Sequence, residues 1–254
     1  MWNNNPNNNN RGGWNNQYSN QRQQRFGFGQ NQPQYGYTET SLAERSSLSA
    51  KVMTFTFFSI LAAMAGTFVG AQMNLSFGGG TWLLFFIAEI ALIFACQAFR
   101  DKMPINFILL YSFAAITGLS ISPLINILFQ AGYSGIVYQA LGITAGITVA
   151  LSAYAWTTKR DFSGFAPYLF AGVIGLILVG LLNGLLFHSS LLQMVYLYAG
   201  VVIFSFYLIF DVQQVKKFQD TIGNAIMLSL NIYLNIFNLF LFILQILMSL
   251  QGRD

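Results

Sequence analysis

The chain has 254 residues with a net charge of +4; 55% of them are hydrophobic and only 8% are charged. A soluble domain carries about 25% charged residues, so this composition excludes an ordinary water-covered surface. Between residues 52 and 250 the charges cluster in short segments. The apolar runs between them have roughly the 20 residues that cross a bilayer as a helix. The composition predicts an all-α integral membrane protein that crosses the membrane several times.

Residues 1–45 differ from the rest of the chain. WNNNPNNNNRGGWNNQYSNQRQQ is rich in Asn and Gln, and FGFGQNQPQYGYTET adds scattered aromatic residues. Such a segment buries too little apolar area to offset chain entropy, so we predict a disordered tail, followed by a transmembrane domain at 46–254. Two interpretations of the tail remain open: an adhesive interaction segment, or a solvated leader without a specific partner.

Seven apolar runs follow the tail, and each predicts one transmembrane helix. They are Val52–Met73, Trp82–Phe99, Ile105–Phe129, Gly135–Trp156, Ala166–Phe187, Leu191–Val212 and Ala225–Leu250.

The positive charges predict the orientation, because cytoplasmic segments of membrane proteins are enriched in Lys and Arg. One side of the seven-span arrangement carries Arg11, Arg22, Arg25, Arg45, Lys51, Arg100, Lys102, Lys159, Arg160, Lys216 and Lys217. The other side carries only Arg253. We therefore expect a cytoplasmic N-terminus.

Small residues and one proline predict how the helices pack. Small residues four positions apart let helix backbones approach closely. They recur at Ala62, Gly66 and Gly70, at Gly142 and Gly146, and at Gly180 and Gly184. In the third span, Pro123 frees the carbonyl of Leu119, and we expect a kink there with compensation by Ser120 or Ser122.

Two acidic residues lie where hydrocarbon tolerates them poorly. Glu89 is near the middle of the second span and Asp211 is at the end of the sixth. A charge at a helix centre costs about 2.5 to 3.5 kcal/mol on insertion scales, so such residues usually face a partner or a water-filled cavity. Each acid has two interpretations, a functional group of a pathway or a hydrogen-bonded tie between helices.

Arg100 is the expected partner of Asp211. It follows Glu89 by eleven residues, which places both on one helix face about 16 Å apart. Arg100 and Asp211 end their spans on the same side of the membrane and have opposite charges, so we expect an Arg100–Asp211 pair that closes the cytoplasmic side.

The seventh span carries a polar stripe on one face. The stripe consists of Asn231, Asn235, Asn238 and Gln245. Lipid cannot satisfy amide groups, so the stripe is expected to face inward. It lines a pathway in one interpretation and ties helices together in the other.

These segments resemble a known family. FSFYLIFDVQQV, followed by AIMLSLNIYLNIFNLFLFILQIL, is similar to the end of the Bax inhibitor-1 (transmembrane Bax inhibitor motif) family, and GLSISPLI and the AEI of the second span also match its pattern. The resemblance covers residues 45–250. It implies a seven-helix bundle with a central last helix, located in the cytoplasmic membrane of a bacterium.

The resemblance also implies a function. Bacterial members look like pH-sensitive calcium leak channels, in which two aspartates share a proton and contact an arginine. By position, Asp211 matches the first aspartate, Arg100 the arginine and Glu89 the acid of the second helix. Asn231, Asn235 and Asn238 complete the candidate ion pathway, and Asp211 is a candidate weak Ca²⁺ contact. The resemblance therefore implies calcium ions or protons and membrane lipid as partners. It also implies a role in stress response.

One position departs from the family pattern. Where the family reads an aspartate in LYLDI, this chain has IYLNI with Asn235. Two close carboxylates titrate as a coupled pair, whereas an Asp–Asn pair has only one titrating group. We expect Asn235 to imitate the half-protonated pair, to weaken the pH switch and to weaken Ca²⁺ coordination.

Several rival functions remain to be weighed. A retinal protein needs a lysine in the seventh span, and none lies between residues 225 and 250. The G-x-G-D motif of aspartyl intramembrane proteases is absent. GYSG resembles a rhomboid motif, with Ser134 as nucleophile and His188 as base. The tetrapeptide is common by chance in a Gly-rich chain, however, and a turn that opens the fourth helix explains it.

The main alternative is a non-conducting regulator that binds a membrane protease or another membrane protein. The resemblance implies this role as well, because some bacterial members of the family look like such regulators. We expect no enzymatic activity, no nucleic-acid partner and no cofactor beyond Ca²⁺ as the transported ion.

Overall fold

The structure is a computed structural model that describes residues 42–73, 75 and 80–251. Within these residues the chain is helical and contains no strand. The helices are α1 (Leu42–Gln72), α2 (Thr81–Ala98), α3 (Ile105–Gln130), α4 (Ser134–Thr157), α5 (Ala166–Leu182), α6 (Ser190–Val215) and α7 (Ile222–Gln251). A 3-10 turn, Ser163–Phe165, precedes α5 and a π-helical turn, Asn183–Phe187, follows it.

Among the described residues, six helical segments are long and apolar enough to cross a membrane: Arg45–Gln72, α3, α4, Ser163–Phe187, α6 and α7. The second predicted span forms a helix as well, but its apolar stretch, Leu83–Ala98, is shorter. Large apolar side chains cover the outside of these helices; Phe68, Leu84, Phe94 and Val149 are each about two thirds exposed or more. Such a surface suits hydrocarbon and not water.

The first helix begins earlier than the sequence predicts. α1 starts at Leu42, ten residues before the predicted span, so the last four residues of the predicted tail are helical. The rest of that tail lies outside the described residues. The early turns of α1 are stabilised by tertiary contacts, because Leu48 and Val52 are buried in an apolar cluster with residues of α6 and α7. Local composition alone does not show such contacts.

α7 is the most buried of the long helices. It contacts α1, α2, α3, α4 and α6, and every residue from Ile222 to Ser249 is buried or half-buried. In its most apolar stretch 56% of the residues are buried, against 17 to 39% in the other five long segments. Polar side chains on any face of α7 therefore meet protein.

α1 and α3 pack with their backbones in contact. A Cβ added to Gly66 would lie 2.0 Å from the carbonyl oxygen of Ala115, and one added to Gly118 would lie 1.9 Å from that of Ala63. Thr67 strengthens this contact by donating a hydrogen bond to the Gly118 carbonyl at 3.0 Å. The predicted close approach is confirmed for the small residues of the first span.

The same prediction is wrong for the fourth span. Gly142 and Gly146 are exposed, and a Cβ added to either would meet no atom within 4 Å. In the fifth span Gly180 contacts the ring of Tyr196, whereas Gly184 faces open space. Spacing places small residues on one face of a helix, but it does not determine which face meets a neighbour.

The backbone hydrogen bond that Pro123 cannot make is replaced by a serine side chain, as predicted. Pro123 lies inside the continuous helix α3 and cannot donate to the Leu119 carbonyl. The Ser122 hydroxyl donates to that carbonyl instead, at 2.8 Å. Ser122 is fully buried, so its side chain satisfies an oxygen that hydrocarbon would leave without a donor.

Candidate functional site

One end of the helix bundle gathers the positive charges of the described chain. The start of α1, the α2–α3 loop, the α4–α5 loop and the α6–α7 loop meet there, through Lys51–Asp220, Lys217–Asp161 and the approach of Asp101 to Gly223. We call it the basic end. Its cations are Arg45, Lys51, Arg100, Lys102, Lys159, Arg160, Lys216 and Lys217.

Asp211 lies near this end, inside the bundle. α6 continues to Val215, three residues beyond the predicted boundary at Val212, so Asp211 is one turn inside the helix and not at its end. Its relative exposure is 4%, and all residues from Asp211 to Val215 are buried. The buried apolar side chains of Leu208, Val212 and Ile232 belong to the cluster around it.

Asn235 is the direct partner of Asp211. The Nδ2 of Asn235, also 4% exposed, donates a hydrogen bond to Oδ2 of Asp211 at 2.6 Å. Asn231, one turn earlier on α7, adds a second amide that hydrogen-bonds with this carboxylate. A buried carboxyl group needs such hydrogen-bond partners, because burial without them costs free energy. The site therefore ties α6 to α7.

The expected Arg100–Asp211 pair is not formed. Within the described chain Asp211 has no ion-pair partner. Arg100 lies beyond the end of α2, where its Nε is 3.3 Å from Asp101 Oδ2 and its Nη1 is 3.5 Å from Met227 Sδ. Met227 precedes Asn235 by eight residues, about 12 Å along α7. Ending their spans on the same side of the membrane did not bring the two side chains into contact.

The α2–α3 loop instead holds the beginning of α7. The buried side chain of Asn106 donates to the Arg100 carbonyl at 2.8 Å and accepts from the backbone N–H of Phe107. This orders the loop, and Asp101 then lies where a Cβ on Gly223 would be 1.9 Å from its Oδ1. A larger residue at Gly223 would displace the loop from α7.

Glu89 belongs to a second polar group on another side of α7. Ser120 of α3 donates a hydrogen bond to Glu89 Oε1 at 2.6 Å and also contacts the Thr117 carbonyl. The Thr117 hydroxyl is hydrogen-bonded to the hydroxyl of Tyr233, and both residues are 1% exposed. Glu89 and Asp211 are therefore separate, each bound to its own polar neighbours.

The predicted stripe of α7 divides into two parts. Asn231 and Asn235 meet Asp211, whereas Asn238 Nδ2 donates to the Leu234 carbonyl of its own helix at 2.8 Å. Gln245 does the same with the Leu241 carbonyl at 3.1 Å. The side chains of Asn238 and Gln245 thus satisfy their own helix backbone.

Sequence reasoning missed two residues that hold the end of α6. Gln213 is buried and uses both ends of its amide, donating to the Arg160 carbonyl at 2.8 Å and accepting from the Phe162 N–H at 3.0 Å. Lys216 donates to the carbonyls of Ala155 and Trp156, each at 2.8 Å. The polar cluster in DVQQVKK was the available signal, but its partners are distant in sequence.

The α4–α5 loop is held by a charged contact as well. Lys217 Nζ lies 2.7 Å from Asp161 Oδ1 and also contacts the Ser163 hydroxyl. The hydrogen bond from Lys217, followed by those from Ser163, lowers the pKa of Asp161 to about 2. The ionised carboxylate is thus the favoured form in the folded chain.

The remaining candidates concern metal binding and proteolysis. In the part of the chain that the structure describes, no three His, Cys, Asp or Glu side chains are grouped as a metal site would require. Asp211 supplies one carboxylate with amide neighbours, and its Ca²⁺ contact stays a prediction. Ser134 begins α4 and His188 follows the π-helical turn; no hydrogen bond joins these two described residues.

Comparison with known proteins agrees with this architecture. The family model described as inhibitor of apoptosis-promoting Bax1 matches residues 45–252. An uncharacterized protein of Helicobacter pylori is 32% identical, covering 86% of this chain and 94% of the relative. The inner membrane protein YbhL of Escherichia coli is 32% identical over 69% of this chain and 78% of its own length.

A eukaryotic relative extends the similarity. Bax inhibitor 1 of Schizosaccharomyces pombe is 32% identical, covering 68% of this chain and 63% of the yeast protein. The family match spans most of the described helices, including α6 and α7 with Asp211 and Asn235. With its six long apolar segments, the chain is a multi-pass membrane protein and belongs to the Bax inhibitor-1 family.

Proposed function

We propose that this protein is a calcium leak channel of the bacterial cytoplasmic membrane whose basic end is closed by the Asp211–Asn235 contact. In this proposal the chain spans the membrane seven times, with α7 as the central helix and the N-terminus in the cytoplasm. The observation that carries the proposal is the 2.6 Å hydrogen bond between two side chains that are each 4% exposed.

The burial of α7 supports its central place. Every residue of α7 from Ile222 to Ser249 is buried or half-buried. Such burial is expected of a helix in the middle of a bundle. α2 has the shorter apolar stretch, but its position between two long helices and the cation-rich loop that follows it support a seventh span. The positive-inside tendency then assigns the basic end to the cytoplasm.

In this proposal the ion passes between α6 and α7 at the Asp211–Asn235 contact. Asp211 offers anionic oxygen, which hard cations such as Ca²⁺ prefer, and Asn231 and Asn235 offer neutral amide oxygens. Opening requires α6 and α7 to separate at this contact. The carboxylate then loses its amide donor and becomes available to a cation.

The identity of residue 235 determines how this contact responds to pH. A pair of aspartates would share one proton and lose it as pH rises, after which two negative charges would repel each other. The Asn235 amide keeps its protons throughout the neutral range, so the hydrogen bond to Asp211 persists. We therefore propose a channel that is closed most of the time, opens rarely and depends only weakly on pH.

Calcium flux into liposomes tests this proposal. Wild type and Asn235→Asp are reconstituted, and flux is measured from about pH 6 to about pH 8. We expect low, nearly constant flux for wild type and flux that rises with pH for Asn235→Asp. Asn238→Asp is the matched control, because Asn238 bonds only its own helix. A wild type that is strongly gated across this range contradicts the proposed role of Asn235.

A second function is favoured by the same hydrogen bond. If the Asp211–Asn235 contact never opens, the chain acts as a non-conducting regulator of a membrane protease or another membrane protein. Deleting residues 1–41 distinguishes the two functions, because it leaves α1 complete. A channel keeps its flux after this deletion, whereas a regulator that uses the tail loses its partner.

A further inference from the structure

Three helices end together at one side of the basic end. Leu48 of α1, Ala155 of α4 and Val215 of α6 are buried in one apolar cluster. The residues next to them in sequence are Trp156 and Lys216, while Arg45 lies one helical turn before Leu48. The packing of this cluster therefore brings Arg45, Trp156 and Lys216 to a common rim.

The cations of this rim lie close to one another. Lys216 Nζ donates to the Ala155 and Trp156 carbonyls at 2.8 Å and lies 5.3 Å from the centre of the Trp156 ring. Burial, and then the nearby positive charges of Arg45 and Lys217, lower the pKa of the Lys216 ammonium. Like charges are thus held together at a position that the fold determines.

We propose that this rim binds the phosphate of an anionic phospholipid headgroup, with Arg45 and Lys216 as its cationic contacts and Trp156 beside them. The proposal goes beyond the channel function and does not depend on it. We call the rim formed by these three residues the headgroup site.

The charge balance favours an anion at this place. The described side chains of the basic end include eight cations and three acids, Asp101, Asp161 and Asp220. Arg45, Lys159, Arg160 and Lys216 are among these cations, along the ends of α1, α4 and α6. A phosphate would add negative charge to an end whose net charge is positive, and basic pockets between transmembrane helices are known to hold such headgroups.

The depth of the site favours a lipid over a free anion. Trp156 is 41% exposed and is the next-to-last residue of α4, and tryptophan near a helix end is typical of the membrane–water interface. Large apolar side chains are exposed further along the same helices, including Met53 and Phe57 of α1 and Val149 of α4. A phospholipid can place its phosphate at the rim and its acyl chains on these surfaces.

Lipid retention by the purified full chain tests the proposal. The protein in detergent is incubated with phosphatidylglycerol or with phosphatidylcholine of the same acyl chains, and bound lipid is counted by native mass spectrometry. We expect wild type to retain phosphatidylglycerol preferentially. Arg45→Gln and Lys216→Gln should each lower this retention about fivefold, since a cation near the surface contributes about 1 kcal/mol.

Lys102→Gln is the matched control. It removes the same charge from the basic end, but Lys102 lies in the α2–α3 loop and contacts the ring of Phe99. We expect it to retain lipid as wild type does. An equal loss in Lys102→Gln would show diffuse attraction by net charge and would overturn the headgroup site, as would full retention in both rim variants.

A comparison of the two rim variants and one further measurement complete the test. Lys216→Gln also weakens contacts to α4, so a loss seen only in Lys216→Gln, with Arg45→Gln like wild type, counts as damage to the fold and against the site. Inorganic phosphate is then added in large excess over the lipid. Lipid that stays bound supports the proposal, whereas displacement by phosphate identifies a site for free anions and contradicts it.

Discussion

The interior of the bundle and its basic end make polar contacts of similar length but different surroundings. Inside, Asn235 and Asp211 are joined at 2.6 Å and each is 4% exposed. At the basic end, Lys217 and Asp161 are joined at 2.7 Å with side chains that are 30% and 65% exposed. Distance alone therefore does not rank these contacts; access to water does.

The two regions differ because water can replace a broken contact at the basic end but not inside the bundle. When a buried donor or acceptor loses its partner, the remaining group keeps its full desolvation penalty. When a contact at the rim breaks, water solvates both groups, and exposed ion pairs typically contribute about 0 to 1 kcal/mol. The interior contacts of α7 should thus be sensitive to substitution, and those of the α4–α5 loop tolerant.

The largest effect is expected from Asn235→Leu. This change leaves the Asp211 carboxylate without its 2.6 Å donor, and we expect the free energy of unfolding to fall by roughly 2 to 3 kcal/mol. Unfolding in mixed detergent micelles measures it. Asn238→Leu is the control, because it removes a bond only to its own helix and should cost much less. Equal losses of stability in the two variants would contradict the claim that the contact with Asp211 makes Asn235 more important than Asn238.

A smaller effect is expected from Tyr233→Phe. The Tyr233 hydroxyl is hydrogen-bonded to Thr117, whose own hydroxyl keeps a 2.8 Å bond to the Ala114 carbonyl after the change. A neutral hydrogen bond contributes about 1 kcal/mol, and we expect a loss of that size in the same assay. Tyr198→Phe, at an exposed position on α6, should be neutral. A loss as large as that of Asn235→Leu would show that neutral and charged contacts of α7 are equivalent.

The smallest effect is expected from Asp161→Asn, and it should depend on pH. The pKa of Asp161 is lowered to about 2 in the folded chain, from an ordinary 3.8. The stability that this group contributes is therefore present above about pH 4 and is lost as pH falls toward 2. The difference in unfolding midpoint between wild type and Asp161→Asn should be small at neutral pH and should vanish near pH 2.

A double variant checks the cause of this pH dependence. In the Lys217→Gln background, Asp161→Asn should have almost no further effect, because the partner that lowers the pKa is already removed. A difference that persists in that background, or that grows as pH falls, would contradict the assigned role of Lys217.

Much of the fold could be predicted from the sequence. The predicted third and fifth spans begin at the same residues as α3 and the α5 helix, Ile105 and Ala166. The compensation at Pro123 was also predictable, because a proline frees a carbonyl at a known distance in sequence and a serine lay within reach. These features depend on neighbours within one helical turn.

The site was predicted only in part. Asp211 and Asn235 were expected to meet, and they do. Arg100 was expected to join them but contacts Asp101 and Met227, which precedes Asn235 by about 12 Å along α7. The exposed glycines of α4 and the two bonds of Gln213 were likewise invisible, since each depends on which helix faces which.

The sequence by itself determined the class of protein, the helices and the end of the bundle that gathers the cations. Apolar length and charge placement act locally, and hydrocarbon leaves a backbone few alternatives to a helix. Only the tertiary structure decided which polar groups meet. It placed Asn235, and not Arg100, on Asp211, and it joined Glu89 to Ser120 on a different side of α7. Rotation and depth of packed helices determine such contacts, and distant side chains set both.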